Sequence, residues 1–67
     1  MTTTHGYVIE RAEHRGRGRA IEWRQAEPGS YGQERDARAR LSVLLRAEYN
    51  VTGRDPSDDW RVRRITY

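Results

Sequence analysis

One segment of this chain, and one only, carries a helical apolar stripe. Ala37, Leu41, Leu44 and Leu45 recur at i, i+4, i+7 and i+8, while Arg35, Ala39, Arg46 and Asn50 point the other way. The segments around it read as strands. A single helix covers one face of a sheet, so the fold expected here leaves the other face open.

The start of that helix has its own signal. Ser30-Tyr31-Gly32-Gln33 has the spacing of a capping box, in which the serine hydroxyl and the glutamine side chain each satisfy the other's backbone amide. Glu34 and Asp36 place negative charge where the helix dipole favours it, and Arg46 complements the far end. Asn50 or Gly53 supplies a left-handed cap, so the helix is expected over 31–49.

Three strands are expected at 6–14, 19–26 and 60–67. Tyr7, Val8 and Ile9 put apolar groups on both faces, as a central strand requires. Arg15-Gly16-Arg17-Gly18 reads as a hairpin turn, since glycine supplies the positive φ such loops need. In the second strand Ile21 and Trp23 share one face, and Ala20, Glu22 and Arg24 the other. Glu27-Pro28-Gly29 breaks it. A loop containing Asp55-Pro56 precedes the last strand, which is rich in aromatic and β-branched residues.

The order β-β-α-β then predicts an α+β fold, with a three-stranded antiparallel sheet in order 2-1-3 and one helix on one face. The right-handed rule for crossovers fixes the side on which the helix returns. The expected core is Tyr7, Ile9, Ile21, Trp23, Ala37, Leu41, Leu44, Leu45 and Val62, with Trp60 at its margin. The expected open face holds Val8, Ala12, Ala20, Arg24, Arg61, Arg63, Ile65 and Tyr67. Two phases are open for the last strand. With unbroken alternation Ile65 and Tyr67 lie opposite Trp60 and Val62; a bulge at Arg63-Arg64 would turn them into the core and leave the open face mostly polar.

At 67 residues the chain holds one domain, read as 1–67. A domain of this size buries only about 60% of its unfolded surface. With no cysteine there is no disulfide to staple it and no thiolate to bind metal or attack a substrate. Self-association is a natural remedy, and a homodimer through the open face or an edge strand is compatible with the pattern. No run approaches the apolar length of a membrane span, and the start lacks a signal-peptide pattern, so the expected location is cytoplasmic with no membrane partner.

No catalytic pattern is present: there is no nucleophile elbow, no P-loop and no Rossmann glycine fingerprint. A chain this small is expected to lack room for a pocket of several hundred cubic ångströms. His5 and His14 with Glu10 or Glu13 fall short of the converging ligands a metal needs, and Asp55, Asp58 and Asp59 lack the glycine and distal glutamate of a calcium loop. Asp58 or Asp59 is expected to pair with a nearby arginine. The reading is a non-enzyme with no cofactor and no metal.

Every basic residue outside histidine is arginine, in a balance of thirteen bases to ten acids. Arginine's planar fork suits phosphate, carboxylate and aromatic faces; it is also what a high-GC genome supplies wherever positive charge is wanted. Two partner classes follow. In the first, nucleic acid is bound: Arg17 and Arg19 at the hairpin tip and Arg24, Arg61 and Arg63 on the sheet contact phosphates, and Tyr67 stacks on a base. Against it, Glu10 and Glu22 stand ready to neutralise that face, and net +3 is a small excess. In the second, a protein is bound, with Val8, Ile65 and Tyr67 as anchors and the arginines as a rim, as in an inhibitor or adaptor.

The hairpin, the helix with Ala37-Arg38-Ala39-Arg40-Leu41 and the closing Trp60-Arg61-Val62-Arg63-Arg64 strand resemble small β-β-α-β proteins of high-GC actinobacteria and their phages. That likeness covers most of the chain, rests on generic amphipathic patterns and implies no function beyond a phage or mobile-element setting. The chain also resembles the sheet-plus-helix arm-binding domains of phage integrases. Those place three strands before the helix, so no DNA-contacting residue is carried over.

Overall fold

The structure is a computed structural model, and it describes residues 5–15 and 20–66. Strand β1 is His5–Arg15, β2 is Ala20–Gln25, helix α1 is Glu34–Thr52 and β3 is Trp60–Thr66, with a 3-10 turn at Ser57–Asp59. The sheet is antiparallel in order β2-β1-β3 and α1 packs on one face of it, mainly against β3 and β1. This is the α+β arrangement expected from the order of elements.

The sheet is staggered. β1 pairs with β3 over His5–Arg11 and with β2 over Glu10–Arg15. Three named strands therefore lie side by side only at Glu10 and Arg11. Beyond them β1 and β2 continue as a two-stranded arm. At the opposite end Tyr31 takes the place of β2: its N–H and C=O both bond to Tyr7, each at 2.8 Å.

That bridge explains where the helix begins. Tyr31 is held extended by β1, so it cannot also be the first helical residue. The helix starts three residues later than expected, with Gln33 as an extended N-cap that makes no side-chain capping bond. The capping box from Ser30 to Gln33 is not used in that role. At the other end α1 runs on to Thr52 and stops at Gly53, whose φ of 73° is the left-handed cap and whose N–H donates to the Tyr49 carbonyl at 2.7 Å.

The helical stripe faces the sheet as expected. Ala37 is fully buried against it, and Leu41, Leu44 and Leu45 are half-buried. Beneath them on β1 lie the half-buried Tyr7 and the buried Ile9, with Val62 and Trp60 on β3. The alternation of β3 is unbroken from Trp60 to Thr66, so no bulge occurs and Ile65 faces away from the helix.

One part of the expected core is corrected. The hairpin pairs Arg15 with Ala20, Glu13 with Glu22 and Ala12 with Trp23, so odd residues of β1 face even residues of β2. Ile21 and Trp23 therefore share the open face with Val8, Glu10 and Ala12, and Ile21 is 54% exposed. Arg24, opposite Arg11, lies on the helix side. Strand pairing joins residues by the length of the turn, and a connection of 16–19 sets odd against even.

Candidate functional site

The two residues where all three strands meet are the pivots of two side-chain networks, one on each face. On the open face the pivot is Glu10. Its neighbours across the ladders are Gln25 on β2 and Arg61 on β3. Its carboxylate accepts from Arg61 Nε at 2.7 Å and from Arg63 Nη1 at 3.4 Å. The Arg61 guanidinium in turn lies over the Trp23 ring, 4.1 Å from its centroid.

Glu10 is only 6% exposed although α1 lies on the other face of the sheet. A buried carboxylate is tolerated only when it is paired and hydrogen-bonded, and two arginines meet that need. Gln25 adds to the same surface: its Nε2 donates to the carbonyls of Glu27 and Gly29, each at 2.7 Å, and so ties the bend after β2 beside Val8. A shallow hollow of about 270 Å³ opens there between Val8, Gln25, Gly29, Ser30 and Ile65. At the far end of the face the exposed Ile21 stands opposite His14, whose Nε2 lies 3.1 Å from Asp59 Oδ1. Asp59 thus pairs with a histidine rather than with an arginine.

On the helix side the pivot is Arg11. Its Nη2 donates to Glu48 of α1, and the other Glu48 oxygen accepts the Trp60 indole N–H. Arg11 also lies over the Trp60 ring at 5.4 Å. Glu48 joins one helix residue to two strands. Next to it is an open cleft of about 540 Å³, bordered by Arg11, Glu13, His14, Arg24 and Trp60. The cleft is larger than a chain of this size was expected to hold. Its cations are engaged within the chain: Arg11 by Glu48, and Arg24 by Glu13 at 3.1 Å and Glu22 at 3.4 Å.

A third link fastens the bend to the helix. Arg40 donates from Nε and Nη2 to the two carboxylate oxygens of Glu27, the shorter bond being 2.7 Å. This bidentate bond holds the Glu27 carboxyl below its usual range and raises Arg40.

The residues singled out in the sequence are therefore divided. Arg61, Arg63 and Ile65 share the open face. Arg24 is on the other side of the sheet. Arg17, Arg19 and Tyr67 lie outside the described residues. Glu10 was expected to neutralise the arginines of this face and does so; Glu22, paired with Glu13 beside Arg24, lies on the helix side. Trp23, Arg11 and Glu48 were missed as members of a network. Trp23 was legible as large and aromatic, but its face depended on the turn. For Glu48 the signal was a carboxylate in line with the apolar stripe, four residues after Leu44.

Among the described residues no group of His, Asp and Glu is arranged to hold a metal ion, and no helix is long and apolar enough to cross a membrane. The chain matches no protein-family model, no curated protein and no solved structure.

Proposed function

We propose that this protein is a small non-catalytic binding module that docks a protein partner on its open sheet face, in the manner of an inhibitor or adaptor. The observation that supports this is the Glu10–Arg61–Trp23 stack. It places an aromatic ring and an arginine at the centre of the face, already oriented, with the charge of Arg61 met inside the chain. Tryptophan and arginine are the residues that most often anchor protein interfaces, and a preset geometry lowers the entropy lost on docking. Ile65 and Ile21 flank this centre and Arg63 stands at its rim.

The nucleic-acid reading drew on Arg24 acting with Arg61 and Arg63. With Arg24 on the other side, two arginines remain on the described part of the face and both bond to one carboxylate. Ile21 and Trp23 replace it there, so apolar contact outweighs phosphate contact. A photo-crosslinking residue at position 65 is expected to capture a protein in the cells that make this chain, and one at position 46 on the outer helix surface is not. Ile65→Asp should abolish the capture made from a second crosslinker at position 63, which shares the open face on β3, with the fold intact. Tight binding of mixed oligonucleotides with a steep loss of affinity as salt rises would instead establish the nucleic-acid reading, because released counterions give that dependence.

A further inference from the structure

The two-stranded arm poses a problem of its own. A hairpin without a third strand is marginally stable in water, yet here β1 and β2 run past β3 with Ile21 more than half exposed. Three edges are available for a further strand. In the arm the outer edge of β1 is occupied by the 3-10 turn Ser57–Asp59, which packs on β1 and sets Asp59 against His14. The edge of β3 carries Arg61, Arg63 and Arg64 in one strand of seven residues. The edge of β2 is left.

The pairing pattern fixes which backbone groups point outward. Tyr7 bonds to Tyr31 and the Ile9 carbonyl accepts from Ala26, so odd residues of β1 direct their backbone groups to the β2 side and even residues to the β3 side. By alternation, Ile21, Trp23 and Gln25 direct theirs to the open edge of β2, and Val62, Arg64 and Thr66 to that of β3.

We propose that two copies of this chain join along β2, antiparallel and centred on Trp23, to form one continuous six-stranded sheet. In that register each Glu22 faces the partner copy's Arg24, and each Arg24 the partner copy's Glu22. Centring on Glu22 or Arg24 would set like charges opposite each other, and so would self-pairing of β3 centred on Val62, Arg63 or Arg64. The β2 edge is thus self-complementary where the β3 edge is self-repelling.

A second observation carries the same conclusion. Within one chain Glu13 stands directly opposite Glu22, and Arg11 directly opposite Arg24. Like charges directly opposite each other destabilise a sheet. Within the chain this is offset by Arg24, which bridges Glu13 at 3.1 Å and Glu22 at 3.4 Å, and by Glu48, which holds Arg11; opposite charges from a partner copy would add to that offset. Across the proposed two-fold axis each acidic pair meets a basic pair. The two rows that contain Glu22 and Arg24 then read two carboxylates followed by two guanidiniums. The axis is perpendicular to the sheet, so both helices lie on one side and the two Trp23–Arg61 stacks lie together on the other.

Light scattering over a dilution series, with amide exchange read by NMR, tests this. The native chain is expected to show twice the chain mass at high concentration, with the amides of Ile21, Trp23 and Gln25 protected and those of Val62, Arg64 and Thr66 exchanging freely. Glu22→Arg should weaken the dimer at least about tenfold, since it turns two attractions into two repulsions. Adding Arg24→Glu to it restores the complement across the axis and should restore the dimer. That double variant also relieves both like-charge pairs within the chain, so a failure to fold is not expected to mask the result. A chain that is monomeric at every concentration, a dimer with Ile21, Trp23 and Gln25 unprotected, or a dimer insensitive to Glu22→Arg would each overturn the proposal. Crosslinking from position 65 to a different protein stays a separate outcome, because Ile65 is on β3 and outside this joint.

Discussion

Arg61→Ala is the substitution that most directly tests the Glu10 network. Arg61 makes the short bond to Glu10 and covers Trp23. A hydrogen bond to a charged group contributes about 1.5–3 kcal/mol, and a partly exposed cation–π contact about 0.5–1 kcal/mol. Two features reduce the sum. The Arg61 side chain is 41% exposed, so solvent screens part of the attraction. Its removal also lets water reach Glu10, which recovers part of the lost solvation. The net expectation is a loss of about 2 kcal/mol, or roughly 8–16 °C in melting temperature for a domain of this length. Arg63→Ala provides the comparison. Its bond is 3.4 Å long and its side chain 59% exposed, so the loss should be about 0.5 kcal/mol. Urea unfolding of both variants, at a concentration held constant so that self-association does not enter, measures the difference. Equal losses for the two, or an Arg61→Ala variant as stable as the native chain, would refute the view that Glu10 is held mainly by Arg61.

Three further expectations follow from other parts of the fold. Gly53→Ala should destabilise by about 1 kcal/mol in thermal melts, because φ of 73° disfavours any Cβ while no neighbouring atom obstructs one. Glu48→Ala should cost about 1–3 kcal/mol by leaving the Trp60 indole N–H without its partner, and the Trp60 Nε1 proton resonance should shift and exchange faster. The Glu27 carboxyl should titrate below the ordinary glutamate range by NMR and return to it in Arg40→Ala. Because the folded pKa is depressed, the stabilisation from this clasp is complete above the unfolded pKa and is lost as pH falls through the folded one.

Much of the architecture was legible before any coordinates. The helical stripe, the strand-like segments and the order of elements predict one helix on an antiparallel sheet with β1 central, and the structure has that form. Gly53 was one of two caps the sequence offered, and Ile65 on the open face one of two phases it left open; the unbroken pairing of β3 with β1 decided the second. The ends of the helix were displaced for a reason outside its own sequence: Tyr31 is claimed by Tyr7, 24 positions earlier in the chain.

Side-chain alternation within a strand is a local property, and the sequence alone determined it: Ile21 with Trp23, Glu22 with Arg24, Trp60 with Val62. Which of these sets meets the helix depends on how one strand is registered against another. That register is set by turn length and by packing between distant residues, and a shift of one position exchanges the faces. Tertiary structure therefore decided that Trp23 rather than Arg24 joins Arg61. It also decided that the stagger of β1 leaves Glu10 and Arg11 as the two points where three strands meet. Glu10 and Arg11 are adjacent in the chain and opposite in the sheet; only the pairing of β1 with both neighbours gives one of them two arginines and the other a glutamate and a tryptophan.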